Sequence, residues 1–86
     1  MNYLKIFSCI VYQKYSVTHG IAGLVANEIM KQCEKPVIAL SYDYSGSARS
    51  LNGLSLQSAL SYVDKKDPNI ILNWGGHELA AGLKVN

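Results

Sequence analysis

Carboxylates are few in this chain of 86 residues, and they never gather. Glu28, Glu34, Asp43, Asp64, Asp67 and Glu78 are scattered without a DxD, DHH or HxxxH grouping. Phosphodiester hydrolysis by metal ions needs several carboxylates and histidines converging on one or two cations, so no catalytic metal centre and no metal ligands are expected here. Cysteine is scarcer still. Cys9 and Cys33 stand far apart with no CxxC partner, which argues against a zinc or redox site and predicts buried, reduced thiols. No GxSxG nucleophile elbow appears. No apolar run approaches the ~20 residues that cross a bilayer, and the opening MNYLK lacks the charged start and apolar core of a signal peptide. The expectation is a cytoplasmic protein with no membrane partner. A net charge of +2 is too small to announce nucleic-acid binding by itself, so any positive surface must come from the placement of the eight Lys and Arg.

What is present suits a packed domain: 49% of the residues are apolar. The length allows one domain, residues 1–86, of modest stability, since chains this small bury only about 60% of their unfolded surface. Residues 3–12, YLKIFSCIVY, read as a strand covered on both faces. Ile21, Leu24, Val25, Ile29 and Met30 recur at helical spacing as the apolar face of a helix that ends before Pro36. The run PVIAL follows as a buried strand, so strand, helix and strand form a parallel βαβ crossover. Residues 42–46 turn the chain and residues 47–51 return as a strand. Ser55 reads as the N-cap of a second helix with Leu56, Ala59, Leu60 and Val63 on its inner face. Residues 64–69 read as a solvated loop. Ile70, Ile71 and Leu72 form a short strand into a glycine turn at Gly75 and Gly76, and a last strand runs through residues 80–85. The fold class is α/β, a mixed sheet of about five strands with two main helices in the order β-α-β-β-α-β-β.

Three clusters carry chemical potential. THGIAG, residues 18–23, joins the first strand to the first helix, where free amides favour an anion and Gly20 permits close approach. His19 there serves either the turn or a ligand. SGSARS, residues 45–50, sets small hydroxyls around Arg49, whose planar fork matches phosphate oxygens in pairs. If it is extended, Ser47 and Arg49 share one face and Ala48 and Ser50 the other. WGGHELAAG, residues 74–82, exposes backbone amides at Gly75 and Gly76 and adds His77, an imidazole hydrogen-bond donor. Trp74 is either a stacking surface or part of the core.

HGIAGLVANEI, KPVIALS, SGSARS with LNGLSLQSAL, and WGGHELAAGLKV, in this order from about His19 to Val85, resemble the DHH-associated C-terminal domain of RecJ-type single-strand-specific exonucleases. The resemblance implies a substrate-binding domain that closes over an N-terminal DHH phosphoesterase domain of the same protein. That domain holds manganese or magnesium and cuts the strand 5'-3', in DNA repair and recombination. It implies substrate contacts at Arg49, Ser47, Ser50, Gly75, Gly76 and His77, with His19 as a further candidate. It also implies no catalytic residue in this chain, beyond His77 as a candidate phosphate stabiliser. The DHH motif itself is missing, so the resemblance casts these residues as a piece of a longer enzyme. The alternatives are a domain of the related oligoribonucleases and nucleotide phosphatases, a standalone oligonucleotide-binding module, and a purely structural dimerisation domain.

Overall fold

The computed structural model describes residues 9–18, 20–51 and 53–86. Seven elements follow in sequence: β1 (Ile10–Gln13), α1 (Ala22–Cys33), β2 (Val37–Leu40), β3 (Ser45–Arg49), α2 (Leu56–Lys66), β4 (Ile71–Gly76) and β5 (Ala80–Val85). The strands form one sheet in the order β1-β2-β3-β5-β4. β1 and β2 are parallel, with α1 as the crossover between them, and the other neighbours are antiparallel. This is the mixed five-stranded α/β architecture expected from the alternation of apolar runs.

The two helices lie on opposite faces, and each covers part of the sheet. α1 packs on β2 and β3, and α2 on β4 and β5. One core gathers Val17, Ala22, Ala26, Val37 and Ala39, and the other Ala48, Leu56, Leu60, Ile71, Ala81 and Leu83. Ser55 caps α2, its hydroxyl accepting from the Ser58 amide at 3.3 Å. Such a cap contributes about 1 kcal/mol. α1 ends at Glu34, which adopts a left-handed conformation (φ 54) and donates its amide to Met30 O at 2.8 Å. Pro36 then prevents any continuation of the helix.

Several expectations need correction. The first strand is described only from Ile10, and residues 3–8 of the expected run lie outside the described residues. It is covered on one face, by α1 through Ile10 and Tyr12, while Val11 is 64% exposed. Leu24, assigned to the buried face of α1, is 71% exposed. The helix instead buries Ala22 and Ala26, small residues that let it sit close to the sheet. Cys9 and Cys33 are exposed thiols, not buried ones, because Cys33 closes the last turn of α1 and Cys9 precedes β1 at the sheet edge. The third strand spans Ser45–Arg49, two residues earlier than read. Gly75 and Gly76 are the last residues of β4 and not a turn; the chain reverses at residues 77–79.

Candidate functional site

Partners across an antiparallel ladder direct their side chains to the same face. On the face that carries α1, beyond the helix, three rows therefore cross β3, β5 and β4. The first holds Ser45, Lys84 and Asn73, the second Ser47, Gly82 and Gly75, and the third Arg49 and Ala80. His77 extends the third row past the end of β4, its amide donating to Ala80 O at 2.9 Å. The middle row is nearly bare. A Cβ built on Gly75 meets nothing within 4 Å, and one on Gly82 meets only Gly46 O at 3.8 Å. An exposed floor of backbone results, with cations from Arg49 and Lys84 and no carboxylate in any of the three rows.

Arg49 borders this floor against the first turn of α1. A Cβ at Gly23 would stand 3.3 Å from Arg49 Cζ, nearer still to Nη2, and 3.7 Å from Ser47 Oγ. Glycine at position 23 therefore opens the space the guanidinium fills. Nη1 donates to Ala48 O at 2.9 Å, and among the described residues no carboxylate pairs with Arg49. Most of its fork of donors is unspent. α1 opens at Ile21 with no side-chain cap, and its first turn, at Gly23, packs on that guanidinium, so the positive end of the helix lies beside it. A guanidinium and a helix N-terminus converging beside a flat floor suit the charge of a phosphate.

The turn that carries His77 is tied to the body of the domain. Gln57 Nε2 donates to Gly76 O at 2.9 Å. Leu56 N donates to Glu78 O at 2.7 Å and Ser50 N to Leu79 O at 3.0 Å. Gly76 has φ +154, and a Cβ there would lie 2.9 Å from Ala81 Cβ and closer to the Ala80 carbonyl. Gly76 is thus demanded by the hairpin itself, whereas nothing among the described residues demands glycine at 75.

Of the residues named from sequence, Arg49, Ser47, Gly75 and His77 come together along these rows, while Gly76 pairs with Ala81 on the face that carries α2. Ser50 stands apart. It is buried, and its hydroxyl donates to Leu54 O at 2.9 Å, closing the loop before α2. His19 lies outside the described residues. Trp74 packs against the core on the α2 side, with Leu83 opposite it, so it is core. Sequence reading missed Gly82 and Lys84, although their alternation in AAGLKV was the signal that put both on one face. It also named Gly23 only as part of a turn, because the reason for that glycine lies in a side chain 26 positions away, at Arg49.

Asp43 stands at the end of the first row. Its Oδ1 accepts from the Ser41 hydroxyl, from Ser45 Oγ at 2.6 Å and from Ser45 N at 3.1 Å. The Ser41 hydroxyl first, then those of Ser45 and its amide, with a smaller contribution from Lys84, hold this carboxyl well below the usual carboxylate range. A cation site is a different matter: among the described residues, no three His, Cys, Asp or Glu side chains gather where they could hold a metal. No described helix is long and apolar enough to cross a membrane.

Comparison with known proteins matches residues 6–86 to the DHHA1 domain family. The single-stranded-DNA-specific exonuclease RecJ of Haemophilus influenzae is 41% identical over 70 residues, which cover 77% of this chain and 12% of that protein. The Escherichia coli RecJ is 37% identical over the same length. Among solved structures, RecJ of Thermus thermophilus in complex with Mg2+ superimposes with a TM-score of 0.76 at 29% identity, over 91% of this chain and 12% of that one. A further RecJ exonuclease structure bound to manganese gives 0.74 at 30% identity. The chain spans about an eighth of the length of the curated relatives it matches.

Proposed function

The chain belongs to the DHHA1 domain family, and from that premise we propose that it is the strand-holding domain of a RecJ-like 5'-3' exonuclease acting on single-stranded DNA. In this reading a separate DHH domain of the same protein performs the cut. The observation that carries the proposal is the bare row of Ser47, Gly82 and Gly75 beside the guanidinium of Arg49, which pairs with no carboxylate among the described residues. A polymer needs an open track and not an enclosed pocket, and a backbone floor admits the strand closely, with the carboxylate nearest the rows, Asp43, already engaged by Ser41 and Ser45.

Each residue then has a role. Arg49 takes phosphate oxygens with its fork, and the first amides of α1 add their positive end. Gly75 and Gly82 let the sugar–phosphate chain approach the sheet, and Ser47 adds a single hydrogen bond. His77, across Ala80 from Arg49, stabilises phosphate charge, since phosphoryl transfer leaves a protein mostly positioning and charge work. Manganese or magnesium would supply hydrolysis. The described residues of this chain do not fit such an ion, having no cluster of ligands, so no step here runs through it. The RecJ relatives among the matches support the DNA branch. A cytoplasmic role in DNA repair and recombination belongs to the same proposal.

The test is binding of a fluorescent single-stranded oligonucleotide to the full chain across a salt series. Phosphate contacts release counterions, so affinity should fall steeply with salt. Arg49→Ala and His77→Ala should each weaken binding, and Arg49→Ala should lower the salt slope by about one unit. Salt-insensitive binding, or normal binding by both variants, would refute the phosphate track.

A further inference from the structure

Beyond the first row the same end of the sheet carries an unexplained aromatic surface. Tyr15, on the connection from β1 to α1, and Tyr42, just after β2, stack with ring centroids 4.1 Å apart at 20°. They are 79% and 59% exposed, and Tyr44 beside them is 50% exposed. None of the three belongs to either core. Tyrosines that only fill a fold bury their rings; these rings face solvent.

The surface is held rigidly. Gln13 Nε2, at the end of β1, donates to Ser41 O at 2.9 Å, which ties the first strand to the turn after β2. Asp43 locks that turn through Ser41 and Ser45, and Ser41 N donates to Ser45 O at 2.8 Å. Tyr44 sits at φ 65, a left-handed conformation that is costly for a bulky residue and that glycine or asparagine would adopt more cheaply. Tyrosine there goes against the local preference. Lys14 lies 5.8 Å from the Tyr12 ring, and Lys84 stands opposite Ser45. The turn's carboxylate, Asp43, is already engaged by the two serines.

Resting on the phosphate-track reading above, we infer that Tyr15, Tyr42 and Tyr44 form a platform on which nucleobases of the same single strand stack after it passes Arg49 and the glycine row. The two surfaces are contiguous. Tyr44 adjoins Ser45 of the first row, and Val85, next to Lys84, donates its amide to Tyr44 O at 2.9 Å. From Arg49 to Tyr44 the strand β3 runs about 17 Å at ~3.4 Å per residue, the rise of about five nucleotides of a stacked strand. Rings offer every base a π-face, so this contact is sequence-tolerant, as a nuclease that tracks along a strand requires. The nearby lysines favour the phosphates between the stacked bases.

Three ligands separate the possibilities: a 12-nucleotide oligothymidylate, the same length of abasic strand, and a trinucleotide. In the full chain, the double substitution Tyr15→Ala and Tyr42→Ala should weaken the 12-mer about tenfold or more. It should leave the abasic strand and the trinucleotide within about twofold of wild type. A Phe pair at the two positions should bind like wild type and a Leu pair like the Ala pair, which keeps the test decisive even where alanine disturbs the fold. An undiminished 12-mer affinity, an equal loss on the abasic strand, or full affinity in the Leu pair overturns the platform. Arg49→Ala run in parallel reports on the phosphate track separately, because it should weaken all three ligands. If it weakens none while the tyrosine pattern holds, the track is wrong and the platform stands.

Discussion

The guanidinium of Arg49 occupies the space in which a side chain at position 23 would begin, 3.3 Å from the point a Cβ on Gly23 would reach. Glycine near the start of a helix costs up to about 1 kcal/mol relative to alanine. That cost is accepted here for access by a side chain from another strand. Gly23 of one sequence block and Arg49 of another therefore form one structural feature.

Gly23→Ala should for that reason separate stability from binding. The clashing atoms are the far end of a flexible arginine, which can swing away, while alanine favours the helix. We expect a melting temperature at or above that of wild type, and several-fold weaker binding of single-stranded DNA because the guanidinium is displaced. Thermal melts and anisotropy titrations on the same sample check both. Wild-type affinity in this variant would mean that the packed position of Arg49 is not the one that meets the strand.

The paired glycines should respond in opposite ways. Gly76→Ala forces a side chain into the Ala80–Ala81 backbone at φ +154 and should destabilise the domain by about 1–3 kcal/mol. Gly75→Ala has open space and should change stability by less than about 0.5 kcal/mol. Its Cβ nevertheless rises from the floor, so strand affinity should fall. Denaturant unfolding of the two variants gives the first comparison and binding by Gly75→Ala the second. Equal destabilisation by both would contradict the assignment of different roles to adjacent residues.

Much of this architecture was legible in local patterns. The apolar runs PVIAL and AAGLKV, the helical spacing of Val25, Ile29 and Met30, and the Ser55 cap each carry their signal within a few residues. What failed was long-range. Leu24 fits helical spacing yet faces solvent, because the sheet accepts only Ala22 and Ala26 at close range. WGGH resembles a turn, yet pairing with β5 carries β4 through both glycines. Tyr42 and Tyr44 read as turn residues, and their stacking partner Tyr15 lies on another connection. Pairing across distant segments is not written in the spacing of either one.

Acid should loosen the turn at Asp43. The Ser41 and Ser45 hydroxyls and the Ser45 amide hold its folded-state pKa below the ordinary unfolded value of about 3.9. A depressed carboxyl stabilises the fold above its unfolded pKa, and the contribution fades as pH falls through the folded one. Melting temperature should therefore decline from about pH 4 downward, with a modest amplitude because the group is exposed and screened. Asp43→Ala should flatten that part of the profile. An unchanged acid limb in the variant would assign the decline to other carboxylates.

Tyr44 offers a test of whether the aromatic surface is kept at the expense of stability. Its left-handed backbone, φ 65, costs a non-glycine residue about 1 kcal/mol or more, and half of its side chain is exposed, so little packing is forfeited on removal. Tyr44→Gly should raise the melting temperature by a few degrees, given that about 1 kcal/mol moves a domain of this size by about 4–8 °C. The same variant should bind the 12-mer less tightly than wild type and the trinucleotide equally well. A residue retained only for folding would give the reverse, a lower melting temperature with unchanged binding. Gain of stability together with loss of long-strand affinity is the combination that strain held for function produces.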